Sequence, residues 1–423
     1  MMKASVAVIL SAGRGTRMNS ARPTALHEVA GKPIIDWMLA EVRPCVEAAP
    51  VVVDGKEGCV AAHVGEDARI AVQAEPLGEA GALRAAARFL EDAGDGFALI
   101  LWGNLPLVDK EYFQAAIDAA GRYGAAKLVY SDEETGALAD CGVYCAKAPA
   151  LCKILSDVPE TAPIEECMAA IEGQGTAVHT LMVSQLACLA VVDRETLAFA
   201  QSLANGAIIK RHMHAGVTVL DPAATYIGAD VQIGQDTVLW PNVILTGNTV
   251  IGTDCVIKSG CQLNDTRVGM GCTLQYVVAN EAEIGNRVTA GPFVNLRPAT
   301  RISDGCKIGD FVEVKNSNVG EGTKLPHLSY IGDADVGSGV NVGCGCVFVN
   351  YDGFSKHRTT VGDNVFLGCQ TNLVAPVTVG DGAYTAAGST ITKDVPPGAM
   401  AFARVRQTNK EGYVEKFQSL KKK

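Results

Sequence analysis

Aromatic residues are scarce in this chain, at 6% of 423 positions. A core built on large rings is therefore not expected, and aliphatic side chains must fill the interior. Basic residues are not in excess either. The formal net charge of −10 argues against a general nucleic-acid binder. No apolar run is long enough to span a bilayer, so no membrane helix is expected. The sequence enters a strand pattern directly, without a secretion signal, and a cytoplasmic location follows as an expectation. The 14 cysteines contain no Cys-x-x-Cys pair, and in a reducing compartment they read as free thiols. Cys344 and Cys346 read as small apolar packing residues. His212 and His214 fall on a helical stretch and read as solvated side chains rather than metal ligands.

What the chain has instead is glycine, 45 residues of it, and a six-residue beat. Ile227, Ile233, Leu239, Leu245, Ile251, Ile257 and Leu263 fall in one register. Ile284, Ala290, Leu296, Ile302, Ile308 and Val314 resume it. Val361, Leu367, Leu373 and Val379 carry it on, with Ile391 in phase after Thr385. Six is neither the helical period nor that of a plain strand. It is the repeat of a parallel β-helix, in which each short strand turns one aliphatic side chain to the axis. A filled axis leaves no interior pocket, so ligands must bind outside, at inserted loops or between copies. The beat breaks between Val314 and Val342 and again at 350–357. Both interruptions are polar and are the places to look.

The first half differs in kind. Strand patterns at 6–10, 51–53, 70–72 and 98–101 alternate with helical stretches such as 34–42 and 80–90, which predicts a parallel α/β sheet. Residues 194–215 read as a helical linker. The solenoid occupies 216–398, ending at Pro396-Pro397-Gly398. The tail, 399–423, is polar, ends in three lysines and reads as a solvated end.

A glycine-rich turn after a first strand can bring backbone N–H groups against a phosphate. Leu10-Ser-Ala-Gly13-Arg-Gly15-Thr-Arg17-Met18 is such a turn. Leu26-His27, Gly31-Lys32-Pro33, Gln73-Ala-Glu75-x-Leu77-Gly78 and Leu101-Trp-Gly103-Asn104-x-Pro106 follow it. Together they resemble the signature of sugar-nucleotide pyrophosphorylases. With the hexapeptide half behind them, the whole chain resembles the bacterial family of bifunctional N-acetylglucosamine-1-phosphate uridyltransferases / glucosamine-1-phosphate N-acetyltransferases. The likeness covers the solenoid and tail, and in the first half runs chiefly to Pro106. It implies a Rossmann-like, nucleotidyltransferase-like α/β domain over 1–193 and a left-handed parallel β-helix acetyltransferase domain. It further implies homotrimers with sites between neighbours, acetyl-CoA as acyl donor, and a role in UDP-N-acetylglucosamine and peptidoglycan precursor supply. Nucleotide contacts would fall to Gly13, Gly15, Arg17, Gln73 and Gly78.

The departures from that pattern fall on the chemistry. The family's phosphate-binding lysine is replaced by Thr24, and its magnesium-binding aspartate by Asn104. Val192 stands where a second metal ligand is expected, with Asp193 beside it. Leu138 and Asp140 stand for the sugar-side glutamate and asparagine, and 127–183 is shortened. Uridylyl transfer joins two anions, whose charge Mg²⁺ normally gathers. Arg17 is retained and Arg22 is near enough in sequence to reach inward, but neither replaces a metal. The leading reading is a retained scaffold that has lost uridylyl transfer, so that Mg²⁺ is needed only if the domain is active. The alternatives are a working bifunctional enzyme and a nucleotide-binding or scaffold module.

Acetyl transfer to an amine needs a base, cations for the sugar phosphate, donors for the thioester oxyanion and a groove for coenzyme A. His327, in Pro326-His-Leu-Ser-Tyr330, is the candidate base, because imidazole titrates near neutrality. Arg297 and Lys315, about one coil apart, should stack on one face and clamp a phosphate. By the resemblance, Tyr330, Asn341 and Lys356 line the amino-sugar site. Asn350 and Tyr351 position nucleophile and coenzyme, and Cys344, Cys369, Ala387 and Arg404 follow the coenzyme path. Cys369 is a departure, standing where the family commonly has serine. Small-molecule substrates, not nucleic acid or membrane, are the expected partners.

Overall fold

The structure, a computed structural model, describes residues 2–13, 15–75, 77–132 and 135–420. Arg14 of the glycine-rich loop and the three terminal lysines lie outside these residues. The chain divides into two compact units, Met1–Ile208 and Ile209–Lys423.

The first unit is built on a seven-stranded sheet among the described residues. Its strands are β1 (Val6–Leu10), β2 (Val51–Gly55), β3 (Arg69–Gln73), β4 (Phe97–Trp102), β5 (Gly124–Ser131), β6 (Leu138–Lys147) and β7 (Ala177–Met182). They lie in the order β3-β2-β1-β4-β6-β5-β7. Continuous aliphatic runs such as Val6-Ala-Val-Ile9 and Val51-Val-Val53 are buried, as expected of strands covered on both faces. The sheet is not parallel throughout, contrary to expectation. β6 runs antiparallel to both β4 and β5, while β7 pairs parallel with β5. Ser131 ends β5 and Leu138 begins β6, a connection too short for the crossover that parallel neighbours need. The carboxyl ends of β1, β3 and β4 lead directly into the glycine-rich loop, Gly78 and Asn104. That is where open α/β sheets bind ligands.

The second unit is a three-sided parallel β-helix. Among the described residues its faces carry eleven, ten and nine strands, each two to four residues long. Face one runs from Thr218–Val219 to Met400–Ala401, face two from Tyr226–Ile227 to Thr390–Ile391, and face three from Gln232–Ile233 to Val377–Val379. Leu239, Ile257, Leu274, Ala290, Ile308, Leu325, Val342 and Leu367 form one inward ladder, all buried. Thr385 continues it. Its hydroxyl accepts from the Gly368 N–H at 3.0 Å and lies 2.8 Å from the Thr371 hydroxyl, so a polar residue is tolerated there.

The first interruption of the beat is not an insertion. Val314 pairs with Ile331 and Val319 with Val336, coils one residue shorter than that joining Leu245 to Leu263. The corner sheds a residue and the beat slips by one. Only 350–358 leaves the coil, since Val336 pairs next with Val361. Two other expectations are corrected. Cys346 is buried but Cys344 is exposed, and all 14 cysteines are free. His212 is 6% exposed rather than solvated, and burial holds its imidazole below the usual value. The tail carries the helix Tyr413–Leu420, on which Tyr413, Val414, Phe417 and Leu420 are exposed.

Stacking is tight enough to test at one glycine. A Cβ added at Gly309 would lie 1.8 Å from the Pro326 carbonyl oxygen, which is backbone and cannot step aside. Gly309→Ala is expected to destabilise the second unit by about 3 kcal/mol. Urea unfolding of the full chain reads this as an earlier solenoid transition, and an unchanged midpoint would contradict the stacking.

Candidate active site

Arg297 and Lys315 do stack one coil apart on face two. Leu296 pairs with Val314, and the Arg297 N–H donates to the Val314 carbonyl at 2.9 Å. Both side chains are held by carboxylates. Arg297 Nη1 meets Glu313 Oε1 at 2.9 Å, and Lys315 Nζ lies 3.2 Å from both oxygens of Asp333. Asp333 is the hub of the cluster. It also accepts from Asn316 Nδ2 at 2.6 Å and from Asn350 Nδ2. Burial alone would raise its pKa, but the donors from Asn316, Asn350 and Lys315 outweigh burial and hold it below the usual carboxylate range. Tyr330 lies across the same face. Its hydroxyl is 3.4 Å from Asn350 Nδ2, and a Cβ at Gly332 would fall 2.4 Å from that hydroxyl, so glycine makes the room. The loop brings Lys356 to this cluster, where the Lys315 ammonium beside it pulls its pKa below the ordinary lysine value. Arg358 pins the loop. Its Nε and Nη2 grip Asp335 at 2.5 and 2.6 Å, and it donates to the Asn316 and Ala334 carbonyls. The Tyr351 hydroxyl donates within the loop, to the Gly353 carbonyl at 2.7 Å.

His327 stands at the opposite edge of face two. It ends the face-one strand Lys324–His327, pairs with Asp310 and is exposed. A corner and the strand Tyr330–Gly332 separate its column from that of Lys315, a span of roughly 15 Å at strand rise. Directly above it runs a ridge. Lys324 pairs with Asn341, so Cys344 stacks over His327. Val342 pairs with Leu367, so Cys369 stacks over Cys344. Leu367 pairs with Thr385, so Ala387 stacks over Cys369. Arg404 reaches beside Gly388, its Cδ 3.9 Å from where a Cβ would sit. Asn341 does not join the Asp333 cluster. It lies on face one, between Lys324 and Phe366.

In the first unit, Gly13, Gly15, Arg17, Thr24, Gln73, Gly78, Asn104 and Val192 all line one cleft of 440 Å³. Gly15 is in the left-handed region at φ 57°, and a Cβ there would meet the Thr24 hydroxyl at 2.2 Å. Gln73 is fixed by donating to the Gly78 carbonyl at 3.0 Å. Both polar residues near the expected metal position also bond within the protein. Asn104 Nδ2 donates to the Val191 carbonyl at 2.9 Å. Asp193 accepts from the Thr196 N–H at 2.8 Å and its hydroxyl at 2.7 Å, and so caps the helix Arg194–His214. Among the described residues no group of three His, Cys, Asp or Glu side chains could hold a metal ion. Arg22 does not reach inward; it lies 3.9 Å from Glu28 at the surface. Leu138 is 63% exposed and Asp140 bridges to Lys127 at 3.1 Å, neither of them lining the cleft. Glu79 does line it, and burial raises the pKa of its carboxyl.

Comparison with known proteins agrees with this two-part layout. Residues 7–200 match the MobA-like NTP transferase domain, and 230–265 and 358–393 match the bacterial transferase hexapeptide repeat. The chain is 40% identical to the bifunctional protein GlmU of Geobacillus sp. strain WCH70, over 98% of each chain. It is 40% identical to that of Brevibacillus brevis over 97% of each, and 38% identical to that of Streptomyces avermitilis over 98% of this chain and 94% of the relative. This chain belongs to the GlmU family. Its solenoid is thus the left-handed hexapeptide kind, joined to a nucleotidyltransferase-like domain, and it is a transferase. A putative glucose-1-phosphate thymidylyltransferase from Bacillus anthracis is also similar, at 17% identity and a TM-score of 0.41 over 48% of this chain, too remote to bear on the reaction.

Sequence reasoning missed Asp333, Asn316, Arg358 and Glu79. The first three lie within one coil of Lys315 or in the inserted loop, a spacing that could have pointed to them. Nothing in the Gly78-Glu79 sequence shows that Glu79 lines the cleft, with its carboxyl accepting from the Ile164 N–H at 2.9 Å. Asp333 offers a test. A carboxylate whose folded pKa is depressed stabilises the fold above its unfolded value, about 3.9, and loses that contribution as pH falls through the folded value. Asp333→Asn is expected to cost about 3 kcal/mol at pH 7 by unpairing Lys315. Unfolding measured against pH should show the difference closing in acid below about pH 4.

Proposed function

We propose that this chain acetylates the amine of glucosamine 1-phosphate with acetyl-CoA, in the cytoplasm, for cell-wall precursor supply. The observation that carries this reading is one prism face bearing a cation cluster on one edge and a histidine-led ridge on the other. Arg297, Lys315 and Lys356 hold the sugar phosphate, with Tyr330 and Asn350 orienting the ring. His327 takes the proton from the attacking amine. Backbone amides along the ridge hold the oxyanion, while Cys344, Cys369, Ala387 and Arg404 guide the coenzyme, with Tyr351 at its mouth.

The span between the two edges is too wide for one proton transfer within a chain. A neighbouring copy that brings its own edge closes the gap, and Asn341 on face one then joins the site. An exposed aromatic column supports such an assembly. Tyr276, Phe293 and Phe311 stack at 5.1 and 5.4 Å just below Leu328, and all four are between 43% and 59% exposed. A contiguous apolar ridge of this kind marks an association surface, and we read the state as a homotrimer.

The first unit is read as having lost uridylyl transfer. What supports this is the cleft's lining: Asn104 offers a neutral amide oxygen where a carboxylate is expected, and Val192 offers no ligand at all. The domain keeps Gln73, Gly78 and the glycine-rich loop, which supports residual nucleotide binding or a scaffold role.

Both activities should be measured on one preparation. Acetyl transfer is expected, with His327→Ala lowering kcat at least about a hundredfold and leaving the sugar-phosphate KM little changed. UDP-N-acetylglucosamine formation from UTP and Mg²⁺ should be absent, and turnover there would restore the bifunctional reading. Phe293→Ser with Phe311→Ser is expected to lower the sedimenting mass and acetyl transfer together, the latter by about tenfold or more.

A further inference from the structure

Three cysteines of this chain are exposed: Cys59, Cys344 and Cys369. The last two are neighbours in space. Each lies two residues beyond a register pair, Val342 with Leu367, and the Gln370 N–H donates to the Cys344 carbonyl at 2.7 Å. A Cβ at Gly343 would fall 2.5 Å from the Cys369 nitrogen, so these coils are in close contact here. In-register parallel strands hold their Cα atoms about 4.8 Å apart. A disulfide spans roughly 4.4–6.8 Å between Cα atoms. Side chains at matched corner positions leave the prism in the same direction, so both thiols face solvent side by side.

We propose that Cys344 and Cys369 form a reversible dithiol switch on the coenzyme ridge, closed by a small-molecule disulfide. One thiolate attacks the oxidant, forming a mixed disulfide and releasing one small thiol. The second thiolate attacks that mixed disulfide, releasing the other small thiol and leaving a Cys344–Cys369 bond. Two protein thiols are oxidised and one small disulfide is reduced to two thiols, so atoms and electrons balance. Matched parallel positions hold Cβ atoms slightly wider than the roughly 3.5–4.5 Å that a relaxed disulfide prefers, which favours a labile bond over a structural staple. The position gives the switch its effect. Cys344 stacks over His327 and Cys369 under Ala387, so a sulfur bridge lies across the path proposed for the thioester. The effect on acetyl transfer rests on that coenzyme placement; the pairing of the thiols does not.

The test treats the full-length reduced protein with oxidised glutathione, with and without saturating acetyl-CoA. Peptide mapping should show Cys344 linked to Cys369, with acetyl transfer falling about tenfold or more and returning on reduction. Bound acetyl-CoA should slow the linkage. Cys344→Ser and Cys369→Ser should each remove the reversible loss relative to their own reduced rate, whereas Cys59→Ser should keep it. Two thiols still free after oxidation would overturn the switch. A linked pair with an unchanged rate would overturn its control of the site. If the reduced protein transfers no acetyl group, the proposed activity fails, and the peptide map still decides the dithiol.

Discussion

Register between successive coils is the constraint on which this molecule depends. Each coil of the second unit hands its backbone hydrogen bonds to the next, so a residue's place on the surface follows from its partner one coil below. Side chains distant in sequence become neighbours without any loop bringing them together. Arg297 and Lys315 stack because Leu296 pairs with Val314. Cys344 stands over His327 because Lys324 pairs with Asn341. A slip of one residue would turn aliphatic side chains outward and break both columns.

That rigidity is used against a polar cluster of the opposite character. Asp333 gathers an ammonium and two amides, and the cations around it repel one another. The carboxylates of Asp333 and Glu313 hold Lys315 and Arg297 in place. Any anion entering there would compete with carboxylates already seated, which sets charge against charge rather than charge against water. Arg358 fastens the inserted loop of the solenoid, 350–358, and so fixes where Lys356 can stand.

The first unit places its cleft by the topology of its sheet. Its cleft is assembled from the strand ends that such sheets use for ligands, and the glycines that shape it remain. Beside it, Asn104 donates to the Val191 carbonyl and Asp193 caps the helix that follows.

The sequence by itself determined the solenoid, because a six-residue beat has one physical solution, and it determined the family, because the glycine-rich and histidine blocks stand at recognisable spacings. It also pointed to Thr24 and Asn104, which do line the cleft. Tertiary structure alone decided what the beat could not carry. The antiparallel placement of β6 came from a short connection, and the slipped coil near Val319 came from a corner that drops a residue. The separation of His327 from Lys315 and the exposure of Cys344 came from which corner each residue occupies. Periodicity fixes which side chains point inward. Corner geometry and inter-coil pairing, which are long-range in sequence, decide who meets whom outside.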